Sequence, residues 1–187
     1  MEIGFYRFAN KEPNKLAIVG PNEELVSRGE LLSKANKLTH ALRDLGLQKF
    51  DTVAVVLPNS VEYFVVYMAC LQAGFYLVPI NWHLAGPEIA YILEDSEAKA
   101  FIASGKNPDM EKACINAVSE ISFNKKGCIT IDELEGFRHI DDFTKSMPDE
   151  NPHDRSAGQV MNYTSGTTGK PKGVKRNLVE GDPDDVL

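Results

Sequence analysis

Residues 52–57, Thr-Val-Ala-Val-Val-Leu, form an unbroken β-branched and aliphatic run that Pro58 ends. A strand with one wet face would alternate apolar and polar side chains; this one does not, so it reads as a strand covered on both faces, as in a parallel sheet. Ser60 can then cap a helix whose buried stripe is Val61, Phe64, Val65, Met68 and Ala69, and Gly74 supplies its stop. Phe75 to Ile80 is the next apolar run. Strand, helix and strand within about thirty residues make a right-handed crossover unit between parallel strands. The Met and aromatic stripe on the helix is read as core rather than as a ligand box.

The flanking sequence extends this pattern. A short helix is expected at 5–10, then a hairpin from Leu16–Val19 through Gly20-Pro21-Asn22 to Glu24–Val26. Ser27-Arg28-Gly29-Glu30 has the form of a capping box, and Leu31, Ala35, Leu38, Leu42 and Leu45 follow at helical spacing to Gly46. A helix over 87–94, a strand over 100–103 and a helix over 108–119 continue the alternation. From 127 to 154 the periodicity weakens to a short strand at 128–131 and an acidic connector through Asp141, Asp142, Asp149 and Glu150, whose charges form a solvated surface. Strand character returns at 159–163. The fold class is therefore α/β: a layered, mostly parallel sheet with helices on both faces. At 187 residues, 43% hydrophobic and 25% charged, the chain suits one globular unit with a substantial core.

Charge and cysteine usage narrow the function. A formal net charge of -7 gives no global attraction to nucleic acid or to an anionic membrane. Cys70, Cys114 and Cys128 lack metal-ligand spacing and read as free thiols; His40, His83, His139 and His153 show no pairing that suggests a metal or a triad. No secretory signal or membrane-spanning run is visible, so a cytoplasmic protein without a transmembrane segment is expected and Asn162-Tyr163-Thr164 is a chance sequon.

The chemistry concentrates in residues 163–174, Tyr-Thr-Ser-Gly-Thr-Thr-Gly-Lys-Pro-Lys-Gly-Val. Glycine lets backbone N–H groups approach a ligand closely, Thr164, Ser165, Thr167 and Thr168 add hydroxyl donors, and Lys170 and Lys172 add positive charge. Such convergence suits a polyphosphate, with a nucleoside triphosphate as the natural guest. A Walker-type loop is excluded: Thr164 stands where its first glycine belongs and Pro171 where its magnesium-binding hydroxyl belongs. A flexible linker would need neither the Lys-Pro-Lys-Gly ending nor the apolar lead-in. A stand-alone nucleotide or polyphosphate-binding module and a protein-interaction domain remain alternatives from the residues alone.

The same twelve residues resemble the phosphate-loop signature of the AMP-forming, adenylate-producing superfamily, which includes acyl-CoA synthetases, luciferases and peptide-synthetase adenylation domains. Leu71-Gln72-Ala73-Gly74-Phe75-Tyr76-Leu77-Val78-Pro79-Ile80-Asn81 resembles its second signature, and Trp82-His83-Leu84 is similar to members acting on fatty or related acyl chains. His83 is thereby a candidate for the active-site side. The resemblance implies that the loop grips the β- and γ-phosphates of ATP while a carboxylate attacks the α-phosphate. Thr164, Ser165, Gly166, Thr167, Thr168, Gly169, Lys170 and Lys172 would hold the polyphosphate; neither lysine would be a general base, and this chain would contain no catalytic residue and no metal ligand.

ATP, Mg2+ and CoA are the implied cofactors of the intact enzyme, with a fatty or other hydrophobic carboxylic acid as substrate. Two departures from the pattern stand out: Arg28 occupies a position where an aromatic is common, and Val-Lys-Arg-Asn-Leu after the loop lacks a frequent His-Arg pair. The resemblance implies that residues 1–187 are a truncated N-terminal subdomain, since the adenine, ribose and magnesium contacts and the adenylating lysine would follow Leu187. Alone, the chain is expected to bind ATP weakly and catalyse nothing, and its uncovered surface offers a route to dimer contacts.

Overall fold

The computed structural model describes residues 4–164 and 170–186. Helix α1 (Phe5–Lys11) leads into an antiparallel hairpin of β1 (Leu16–Val19) and β2 (Leu25–Ser27), and α2 (Arg28–Asp44) follows at once. Ser27 accepts from the Glu30 backbone N–H while the Glu30 carboxylate takes the Ser27 N–H, the reciprocal cap that the sequence announces. Next come β3 (Thr52–Val56), α3 (Val61–Ala73), β4 (Tyr76–Pro79), α4 (Gly86–Asp95), β5 (Ala98–Ala103) and α5 (Pro108–Glu120). Ser60 caps α3, and Gly74 ends it in the left-handed region at φ 74°, a conformation that costs glycine nothing.

Six strands form one sheet in the order β7-β6-β5-β3-β4-β8, with β6 at Cys128–Thr130, β7 at Arg138–His139 and β8 at Gln159–Val160. Every neighbouring pair in it is parallel. Every residue of β3 is buried, as an apolar run without alternation requires. Its side chains divide between two cores. Val53 and Val55 join Leu77 and Ile102 against α2 and α3, whereas Ala54 and Val56 join Val78, Phe101 and Ala103 against α4 and α5. The architecture is thus an α/β layered sheet with helices on both faces. Leu31, Leu38 and Leu42 are nearly fully buried, and each such leucine contributes roughly 1.5–3 kcal/mol by leaving water.

The weakly patterned region is more ordered than its sequence suggests. Besides β6 and β7 it contains α6 (Ile140–Thr144), whose Ile140 and Phe143 are buried in the α2/α3 core. Asp141, Asp142, Asp149 and Glu150 stay exposed, so the connector's charges are a surface as expected. Its backbone is tied along α2: Asn36 Nδ2 donates to the Asp149 carbonyl at 2.8 Å, the His40 ring meets the Glu150 carbonyl at 3.0 Å, and Arg43 pairs with Asp154 at 2.6 Å. Behind Asn36, the buried Gln72 Nε2 bonds Asn36 Oδ1 and Thr39 Oγ1, both at 2.9 Å, joining α3 to α2. The connector thereby delivers the chain to β8 at the sheet edge.

The stretch 159–163, read from sequence as one strand, is two. β8 closes the parallel sheet, and after Met161 the chain enters β9 (Asn162–Thr164), which pairs antiparallel with β10 (Lys172–Val174). The break turns on Met161, whose side chain is buried while its N–H still bonds the Leu77 carbonyl at 2.8 Å.

Candidate nucleotide-phosphate site

The glycine and hydroxyl-rich segment lies in sequence between β9 and β10, which pair antiparallel. Thr164 faces Lys172 across the pair, Tyr163 faces Gly173 and Asn162 faces Val174. The hairpin rises from the carboxyl end of β8, where ligands bind in open α/β sheets. A Cβ at Gly173 would displace the Met161 methyl group and crowd the Tyr163 ring. Of the residues expected to hold a polyphosphate, Thr164, Lys170 and Lys172 are described and all three are exposed. Ser165, Gly166, Thr167, Thr168 and Gly169 lie outside the described residues.

Helix α4 holds both flanks of this segment. The Tyr163 hydroxyl donates to Asp95 Oδ2 at 2.7 Å, and the Tyr91 hydroxyl lies 3.1 Å from the Pro171 carbonyl and 3.4 Å from Asp95 Oδ1. Burial, followed by the Asp95 carboxylate, pushes both phenols above their ordinary value, so they serve as hydrogen-bond donors. The Lys170 ammonium sits over the Tyr91 ring, 5.0 Å from its centroid, and Lys175 sits over Tyr76 at 4.7 Å. Neither Tyr91 nor Asp95 was legible as part of a site; their i, i+4 spacing on one helix was the available signal.

Beyond β10 the chain runs back along β8. Tyr76 donates to the Arg176 carbonyl at 2.6 Å, Gln159 Nε2 to the Asn177 carbonyl at 3.4 Å, and the Ala157 N–H to the Gly181 carbonyl at 3.0 Å. Arg155 then grips Asp182 through two nitrogens and Asp184 at 2.7 Å, with its guanidinium 4.9 Å from the Tyr6 ring centroid. Burial alone would lower the Arg155 pKa; the two carboxylates outweigh it and raise the value, keeping the cation. The basic groups Lys170, Lys172, Lys175 and Arg176 form no ion pair among the described residues.

His83 lies just past the carboxyl end of β4, the strand beside β8. It is exposed, with its ring 3.5 Å from that of Trp82 and its N–H donating to Asn81 Oδ1 at 3.1 Å. His40 bonds the connector and His139 caps α6. Among the described residues no three His, Cys, Asp or Glu side chains gather as metal ligands.

A parallel sheet covered by helices on both faces, followed past β8 by the antiparallel β9–β10 pair, defines an α/β domain. This chain belongs to the AMP-binding enzyme family, which it matches over residues 5–178. It is 31% identical over 170 residues to the long-chain-fatty-acid–CoA ligase FadD13 of Mycobacterium tuberculosis, covering 89% of this chain and 32% of that ligase. It is 33% identical over 170 residues to gramicidin S synthase 1 of Brevibacillus brevis, covering 91% of this chain and 14% of that synthase.

Among solved structures, the anthranilate CoA ligase AuaEII bound to anthranoyl-AMP shares the fold with a TM-score of 0.73 at 23% identity, over 97% of this chain and 34% of that one. The putative long-chain-fatty-acid CoA ligase from Rhodopseudomonas palustris shares it with a TM-score of 0.74 at 24% identity, over 94% and 43% respectively. The chain therefore spans only a third or less of the length of these curated relatives.

Proposed function

We propose that residues 1–187 are the N-terminal subdomain of a cytoplasmic, adenylate-forming acyl-CoA synthetase, and that their part in the reaction is to hold the pyrophosphate end of ATP. The observation that carries this reading is the hairpin that sets Thr164 and Lys172 opposite each other, with Lys170 beside them, at the carboxyl edge of the sheet. In the reaction, a carboxylate oxygen bonds to the α-phosphorus of ATP and the bond from that phosphorus to the bridging oxygen breaks, releasing pyrophosphate. Charge accumulates on the leaving group, and lysines with backbone and hydroxyl donors aimed there lower the barrier by positioning and electrostatics. Thr164, Ser165, Gly166, Thr167, Thr168, Gly169, Lys170 and Lys172 fill these roles, and none moves a proton.

The substrate is read as a fatty or other hydrophobic carboxylic acid, supported by the fatty-acid ligase among the relatives and by Trp82-His83-Leu84. CoA is read as the thiol acceptor on the same support. Mg2+ is read as entering with ATP in the intact enzyme. The 187-residue chain alone should be inactive, and the surface that the rest of the enzyme would cover is read as its route to dimer contacts.

The test supplies ATP, Mg2+, CoA and a series of carboxylic acids to the full-length gene product and to the 187-residue chain. AMP and acyl-CoA from the first and neither from the second support the reading. AMP from the short chain, or no acid-dependent product from the full-length protein, contradicts it.

A further inference from the structure

Helix α4 reaches the phosphate segment from both sides. Tyr163 precedes residues 165–169 and Pro171 follows them, yet one carboxylate and one phenol four residues apart on α4 contact both. Asp95 takes Tyr163 on one oxygen at 2.7 Å and lies 3.4 Å from the Tyr91 hydroxyl through the other, while that hydroxyl is 3.1 Å from the Pro171 carbonyl. A phenol has one proton to give, and the shorter of its two contacts directs it to Pro171. The helix is a firm base for this. Ile89, Ala90, Ile92 and Leu93 are buried in the α4/α5 core, and Glu88 caps the helix start by accepting the Ala85 N–H at 2.8 Å.

We propose that Tyr91 and Asp95 are positioning residues for the phosphate site, and that the Tyr91 ring stores the Lys170 ammonium until a polyphosphate takes it. This rests on the reading that Lys170 serves the polyphosphate. The Tyr91 hydroxyl fixes the Pro171 carbonyl, in the peptide that joins Pro171 to Lys172, and so restrains the backbone one residue beyond Lys170. The ring, 5.0 Å from Nζ, occupies the ammonium with a contact weaker than the charge-assisted hydrogen bonds a phosphate offers. Lys170 is thus held close to its task, and its release to an arriving anion is favourable. Asp95 keeps both phenols pointed by accepting from Tyr163 and standing beside Tyr91.

The experiment is steady-state acid-dependent ATP–pyrophosphate exchange in the full-length gene product, with melting temperatures recorded for every variant. Tyr91→Phe, which keeps the ring and loses the hydroxyl, should lower kcat/KM for ATP about fivefold, the factor one net hydrogen bond is worth, with kcat falling too because Lys170 acts on the leaving group. Tyr91→Leu should lower it about tenfold, and Asp95→Ala about as much as Tyr91→Phe. Combined with Lys170→Ala, Tyr91→Leu should add less than about twofold, because the group it positions is gone.

An equal factor from Tyr91→Leu in both backgrounds, or an unchanged kcat/KM in the Tyr91 variants while Lys170→Ala lowers it, overturns the proposal and leaves the phosphate reading standing. No effect of Lys170→Ala overturns the phosphate reading itself. Should Tyr91→Leu fail to fold, Tyr91→Phe with and without Lys170→Ala decides by the same comparison.

Discussion

Arg155 and Asp184, 29 residues apart, meet at 2.7 Å with side chains only 8% and 10% exposed. Asp182 shares the same guanidinium but is 39% exposed. Together they fasten the segment after β10 to the approach to β8, so the β9–β10 pair is anchored beyond its own two strands. Removing one partner of a buried pair leaves an uncompensated charge. Arg155→Ala should therefore lower unfolding free energy by about 3 kcal/mol in urea titration, whereas Asp182→Asn should cost no more than about 1 kcal/mol.

The same clasp gives an acid dependence. The Arg155 hydrogen bond holds the Asp182 carboxyl below its ordinary value, and Lys15 with Arg28 does the same for Glu12. A carboxyl with a lowered folded pKa binds fewer protons folded than unfolded, so its contribution is present above the unfolded value and is lost as pH falls through the folded one. Melting temperature should change little for this reason between pH 7 and about 5 and fall below about pH 4. The fall should be shallower in Arg155→Ala.

Cys70, Cys114 and Cys128 are free and buried. Burial pushes the Cys114 thiol up to about 12 and the Cys128 thiol up to about 11, and raises Cys70 as well. Thiolate is the reactive form. At pH 8 a thiol reagent should label none of the three in the native chain and all three in denaturant, read by intact mass.

Ser27 begins the helix that underlies one core, and its side chain satisfies the Glu30 N–H at 3.2 Å. Ser27→Ala should cost about 1 kcal/mol in chemical unfolding, and Ser27→Asp much less, since an aspartate also caps.

Long apolar patterns made most of this fold legible. β3 is announced by five consecutive buried residues, and α2 and α3 by helical spacing with a serine before and a glycine after. The two-residue strands β7 and β8 are too short to carry a period, and α6 buries only Ile140 and Phe143, which a sequence window averages with the acidic residues around them. Residues 163–174 stand out in the sequence through their glycine, hydroxyl and lysine chemistry. That Tyr163 and Pro171 on its flanks are held by Asp95 and Tyr91 was not legible, because residues 68 and 80 positions apart meet only when α4 packs beside β9 and β10.

The central claim is that this segment stabilises departing pyrophosphate, and the most direct test is the single-turnover rate of acyl-adenylate formation in the full-length gene product carrying Lys170→Ala. Lys170 is exposed, so the melting temperature should be unchanged. The rate should fall roughly 100- to 1,000-fold, the scale on which removing one charge-stabilising donor acts. A rate equal to that of the unmodified enzyme, at saturating ATP and in a folded protein, would contradict the account.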